Sequence, residues 1–264
     1  MKRITGIGGV FIKASDPKFL ARWYEDHLGI PFGTNVYASL KWRNASDINE
    51  ICTTAFSFFP ENTTYFLPGE KKLMLNFRVE NLRELLPLLQ TEGVNVLEKT
   101  EEYEYGKFGW VMDPEGNKIE LWEPHESGFG ESPQSVPVSG PVNGLGGIFI
   151  KSSDPKKLAQ WYADHFQLNF QGTMCMFRWK QVNDAQKDGT TVLSFFKEDT
   201  QYFKPSDKSY MLNLNVNQIE QLTEELRTSQ IPVAPKVDDS EYGKFSWLMD
   251  AEGNKIELWE SNKS

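Results

Sequence analysis

The sequence predicts an α+β fold of two tandem domains, each built from two β-α-β-β-β units. Two observations predict it. The first is a long internal repeat. Ile7-Gly8-Gly9-Val10-Phe11-Ile12-Lys13 returns as Leu145-Gly146-Gly147-Ile148-Phe149-Ile150-Lys151, Tyr105-Gly106-Lys107-Phe108 as Tyr242-Gly243-Lys244-Phe245, and Asn117-Lys118-Ile119-Glu120-Leu121-Trp122-Glu123 as Asn254-Lys255-Ile256-Glu257-Leu258-Trp259-Glu260. Solenoid repeats recur every ~20–50 residues. These copies lie far further apart, so whole domains are duplicated, over 1–123 and 142–264. The second observation is that strand-like and helix-like apolar patterns alternate twice within each copy.

Ile7 to Lys13 alternates as a strand. Asp16-Pro17 then opens a helix, the carboxylate as N-cap and the proline at its first position. Phe19, Leu20, Trp23, Tyr24, His27 and Leu28 recur at helical spacing, and Gly29 stops the run. Strands are expected at Ala38 to Arg43 and Thr53 to Phe59, with a weaker one at Thr64 to Phe66. The pattern restarts with a strand at Leu73 to Val79 and a helix at Leu82 to Gly93 that carries Leu82, Leu85, Leu86 and Leu89 on one face. Pro87 removes a donor from that helix and is expected to bend it. Strands near Val96 to Glu101, Phe108 to Met112 and Lys118 to Trp122 complete the first copy. The Gly-, Ser- and Pro-rich stretch 124–141 reads as a linker.

The chain has 264 residues, a net charge of −9 and 18 Phe, 8 Trp and 9 Tyr. Net acidity opposes a nucleic-acid partner, which needs a basic face. Cys52 and Cys175 fall at non-equivalent places in the repeat, so two buried thiols are expected rather than a disulfide framework. No apolar run approaches the ~20 residues that span a bilayer. Met1 to Gly6 runs into the first strand without an apolar signal core, so no membrane partner and a cytoplasmic location are expected.

Asp16-Pro17, Trp23-Tyr24 and Leu28-Gly29, together with Asp113-Pro114-Glu115-Gly116-Asn117-Lys118-Ile119-Glu120-Leu121, resemble the vicinal oxygen chelate superfamily. That superfamily includes glyoxalase I, bleomycin- and fosfomycin-resistance proteins and extradiol dioxygenases. The resemblance covers both copies and implies glyoxalase-like domains whose mixed sheets curl into cups, with helices outside and ligands within. It also implies one divalent metal per cup, held from three strands. The last-strand ligand falls on Glu120 and Glu257, the first-strand ligand on Gly9 and Gly147, and the third on Met74 and Met211. A lone carboxylate beside a glycine and a thioether is a poor donor set, so no cofactor is expected. Of the three histidines, His27 and His165 read as core-edge residues and His125 as part of the linker.

Strand alternation orients the other residues once Glu120 is taken to face the cup. Phe11, Met74, Asn76 and Trp122 then point into the first cup, and Phe149, Met211, Asn213 and Trp259 into the second, with Trp42 and Trp179 as further walls. An aromatic, soft lining with few polar groups suits a small molecule. Three readings follow. The first is a metal-free protein that binds a small aromatic or amphipathic molecule. The second is a divalent-metal-dependent lyase or dioxygenase using Glu120 or Glu257. The third is a module whose cups are closed by its own side chains. The copies are expected to dock as a pseudo-dimer, leaving the chain a monomer or homodimer.

Overall fold

The computed structural model describes residues 3–125 and 142–260, except 105, 115, 252 and 253. The first half runs β1 (Gly6–Ala14), α1 (Pro17–Leu28), β2 (Tyr37–Asn44), β3 (Ile51–Pro60), β4 (Leu73–Arg78), α2 (Leu82–Thr91), β5 (Asn95–Tyr103), β6 (Gly106–Met112) and β7 (Lys118–Pro124). The second half runs β8 (Val142–Ser152), α3 (Pro155–Phe166), β9 (Phe170–Gln171), β10 (Met174–Lys180), β11 (Asp188–Lys197), β12 (Tyr210–Val216), α4 (Ile219–Thr228), β13 (Asp238–Ser240), β14 (Gly243–Met249) and β15 (Lys255–Glu260). Residues 126–141, most of the expected linker, lie outside the described residues, as does Tyr105.

The two halves repeat one strand order, β2-β3-β1-β4-β7-β6-β5 and β10-β11-β8-β12-β15-β14-β13. Each is mixed: β1 runs parallel to β3 and antiparallel to β4. The halves join edge to edge where β10 pairs with β2, Trp179 opposite Asn44 and Lys180 opposite Arg43. One large, curled, unclosed mixed sheet results, with four helices among the described residues.

The helix starts form as their sequences dictate. Asp16 accepts from the Phe19 amide at 3.0 Å, and Asp154 from that of Lys157 at 3.1 Å. Gly29 closes α1 in the left-handed region, φ 65°. At the same place α3 ends on Gln167, φ 57°, a conformation that disfavours a residue with a Cβ. Pro87 sits inside α2 without ending it.

The structure corrects one expectation. Thr64 to Phe66 is a turn rather than a strand: the Leu67 amide donates to the Thr64 carbonyl at 3.0 Å, and that of Tyr65 to the Thr63 hydroxyl. Phe77 of β4 packs its ring on Tyr162, Phe166 and Phe177 of the other half. Tyr24 of α1 donates to Asp250 at 3.0 Å, and Tyr162 of α3 to Asp113 at 3.2 Å, a reciprocal exchange between helix and turn. The halves therefore share one continuous apolar core. Arg3 adds a polar clamp, donating to Glu92 at 2.7 Å and to the His165 carbonyl at 2.5 Å.

Candidate functional site

Register places Gly9, Asn76 and Glu120 in one row across β1, β4 and β7. Asn76, one pleat along from Met74, is thus the residue flanked by the glycine and the carboxylate. The alternation orients the strands as expected: Val10, Ile12, Leu75, Phe77, Ile119 and Leu121 join the core between sheet and helices, whereas Phe11 and Met74 cluster on the opposite face. That face is the cup.

Glu120 lies at the bottom, 1% exposed. One oxygen accepts from Asn76 Nδ2 at 2.5 Å, and the other from Trp110 Nε1 at 2.8 Å and from the Tyr65 hydroxyl. Burial pushes its carboxyl above the usual carboxylate range, opposed by these three donors. Tyr65 comes from the turn that replaces the expected strand, which folds into the cup. Its ring stacks on Phe59 and meets Trp110 edge-on, while Phe66 fills the space beside Phe11 and Met74. Lys118 donates to the Tyr65 carbonyl at 2.7 Å and lies over the rings of Tyr65 and Trp110, its pKa depressed chiefly by burial.

The second half repeats the constellation. Glu257 accepts from Asn213 at 2.6 Å, from Trp247 at 2.8 Å and from the Tyr202 hydroxyl. Burial, and then the neighbouring Glu257, keep the Tyr202 phenol protonated far above the ordinary tyrosine range. In both halves the asparagine oxygen has no hydrogen-bond partner and presses on the strand beside it: a Cβ on Gly8 or Gly146 would meet it at 2.0 Å. Only glycine leaves that room.

The two cups differ at their rims. In the first, Phe108, Trp110 and Trp122 are buried, with Leu97 of β5 packed on them. Arg78 lies between Trp42 and Trp122, and Glu50 holds it at 3.1 Å. In the second, β13 has only three residues and Asn215 takes the place of Arg78. There the equivalent Phe245, Trp247 and Trp259 are only half-buried.

Gly9, Asn76 and Glu120 do not fit a divalent metal. The row offers one carboxylate, and both of its oxygens already hold donors. Among the described residues no three His, Cys, Asp or Glu converge on a point. His165 instead contacts Glu92 at 3.3 Å, His27 packs on Trp23, and His125 faces Glu102. Cys52 and Cys175 are free and buried, which pushes their thiols up to about 12 and about 11.

Of the residues expected to line the cups, Phe11, Met74, Asn76 and Trp122 surround Glu120, and Phe149, Met211, Asn213 and Trp259 surround Glu257. Trp42 and Trp179, their indole N–H groups donated to Thr54 and Thr191, line a cavity between the halves, and Trp42 reaches the first rim only through Arg78. Tyr65, Trp110 and Lys118, with Tyr202, Trp247 and Lys255, were missed. The repeat carries the signal for all six, since Tyr65-Phe66 returns as Tyr202-Phe203 and Trp110 as Trp247.

No family model and no curated protein matches the chain. Solved structures do. The 2,3-dioxygenase LapB from Pseudomonas sp. KL28 aligns with TM-score 0.61 at 14% identity, covering 100% of this chain and 95% of its own. The 2,2',3-trihydroxybiphenyl 1,2-dioxygenase from Sphingomonas wittichii RW1 aligns with TM-score 0.61 at 15% identity, over 98% and 91%. The Mn(II)-bound glyoxalase from Novosphingobium aromaticivorans gives 0.57 at 14% identity, over 98% and 82%. The chain has the fold of the vicinal oxygen chelate superfamily.

Proposed function

We propose that this chain binds a flat aromatic or amphipathic small molecule without a catalytic metal, and that the second cup receives it. One observation carries the reading: Phe245, Trp247 and Trp259 form a half-buried aromatic wall, whereas their counterparts Phe108, Trp110 and Trp122 are sealed under β5. Exposed aromatic surface in a concave site is what a planar ligand covers. Glu257 fixes the wall by holding the Trp247 indole and the Tyr202 hydroxyl. Tyr65-Phe66 and Tyr202-Phe203 fill the floors of both cups alike, and the first cup, whose rim is also covered by Leu97 of β5, serves as scaffold.

Calorimetric titration with 2-hydroxybiphenyl in the presence of a chelator tests this. Saturable binding to the wild type, weakened about tenfold or more in Trp247→Ala and unchanged in Leu97→Ala, is the expected result. Binding that requires added divalent metal, or ring-opened product, would favour the metalloenzyme reading, which the dioxygenase and Mn(II)-glyoxalase neighbours support. No binding at all would refute the small-molecule reading for this class of ligand.

A further inference from the structure

A cation is built into the aromatic wall of the second cup. Along β15, Ile256 and Leu258 join the core, so Lys255, Glu257 and Trp259 share the cup face. The Lys255 ammonium lies over the Tyr202 ring at 5.0 Å and the Trp247 ring at 5.3 Å, and donates to the Tyr202 carbonyl at 2.6 Å. An ammonium has three donors, and no ion pair holds this one among the described residues. Glu257, two residues along the same face, accepts instead from Asn213, Trp247 and Tyr202. Lys151 of β8 sets a second ammonium on the same floor, over Phe203 at 5.3 Å, also without an ion pair among the described residues.

The first cup shows the same lysine under cover. Lys118 is 9% exposed, and the Glu101 carboxylate acts on its charge. Lys99 and Tyr103 hold that carboxylate. In the second half Val233 pairs with Leu248 and Asp238 with Phe245, as Val96 does with Val111 and Glu101 with Phe108. Ala234 therefore stands where Leu97 covers the first wall, and Asp238 where Glu101 stands. Asp238 is exposed and forms no ion pair with Lys255, which is itself half-buried. Tyr202 beside it is 38% exposed. The second cup thus leaves open both the cation and the rings around it.

Burial lowers the Lys255 pKa, opposed by the charge of Glu257. The ammonium is therefore short of solvation, and an anion placed beside it restores what water does not supply. Resting on the reading of this cup as a small-molecule site, we propose that its ligand is an aromatic acid, whose ring covers the wall of Phe245, Trp247 and Trp259 and whose acid group pairs with Lys255.

The test uses the full chain, a chelator and two ligands titrated by calorimetry: biphenyl-2-carboxylate, which is an anion at neutral pH, and 2-hydroxybiphenyl, which is not. The ratio of the two affinities is read, because damage to the wall lowers both. The expected result is a preference of about tenfold for the carboxylate, and raised salt weakens the carboxylate alone. In Lys255→Gln the ratio falls to about one, Lys255→Arg keeps it, and Trp247→Ala weakens both ligands. The salt dependence of the wild type reads the same charge without a substitution. Binding of 2-hydroxybiphenyl with no preference for the carboxylate, or a preference retained in Lys255→Gln, would overturn this proposal and leave the small-molecule reading standing. Binding of neither ligand would overturn both.

Discussion

Replacing Glu120 by alanine and by glutamine separates its role as hydrogen-bond hub from its charge. In the alanine variant the Tyr65 hydroxyl, the Asn76 amide and the Trp110 indole lose their common acceptor. Trp110 is 2% exposed and Asn76 2%, so water does not replace it. An unsatisfied buried donor costs about 1–3 kcal/mol, which puts Glu120→Ala on the order of 4–6 kcal/mol. At roughly 2–4 °C per kcal/mol for a large domain, the Tm falls by about 8–24 °C. Glutamine behaves differently. Its oxygen can serve Tyr65 and Trp110 while its amide faces Asn76, whose orphaned Oδ1 turns to accept it. That exchange leaves one unpaired group, as before, and removes a charge that burial disfavours. Glu120→Gln therefore stays within about 1 kcal/mol of the wild type near neutral pH.

The sign of the pH dependence follows from the raised folded-state pKa. Between the unfolded value of 4.5 and the raised folded one, the folded state binds more protons, so wild-type stability falls as pH rises through that window. The glutamine variant lacks this slope, and its stability relative to wild type climbs with pH. Urea unfolding followed by tryptophan fluorescence at pH 4.5, 6 and 8 measures both effects. Equal destabilisation by alanine and glutamine, or a pH-independent difference between glutamine and wild type, would refute the reasoning.

Glu257→Ala costs less than Glu120→Ala, by about half, because the half-buried Trp247 can turn its N–H to water; paired urea curves show the difference. Gln167→Gly relieves a left-handed backbone and stabilises the chain by about 1 kcal/mol, read as a rise in Tm; an unchanged or lower Tm would contradict it. Arg3 is the largest influence holding Glu92 down to about 2, from 4.5. A depressed carboxyl contributes stability above pH 4.5 that is lost as pH falls towards 2, so Arg3→Met flattens that part of the acid-unfolding curve. A chain cut to residues 1–123 exposes Phe77 and the Tyr24 face of α1, and sedimentation should show it associating.

The fold was legible because its signals are local and said twice. Alternation along β1, β4 and β7 placed Phe11, Met74, Asn76, Glu120 and Trp122 on one face, and Asp16-Pro17 fixed the start of α1. What hid was tertiary. Thr64 to Phe66 has strand composition, yet Tyr65 gains more by reaching Glu120 than by pairing in a ladder. Sequence alternation cannot reveal which segment folds back over a cup. Neither nearby cation pairs with Glu120: Arg78 pairs with Glu50 and Lys13 lies over Phe66. The unequal rims depend on the difference in length between β5 and β13, which the repeat itself disguises. Trp42 and Trp179 sit on outer strands whose pairing across the halves no single-copy pattern records.

The account turns on Glu120 and Glu257 being acceptors for tyrosine, asparagine and tryptophan rather than metal ligands. Elemental analysis of protein purified without chelator, followed by thermal shifts with Mn(II), Fe(II), Ni(II) and Zn(II), tests that most directly. The account predicts substoichiometric metal and no shift that depends on either glutamate. One tightly held metal per half, with a rise in Tm lost in Glu120→Gln or Glu257→Gln, would contradict it.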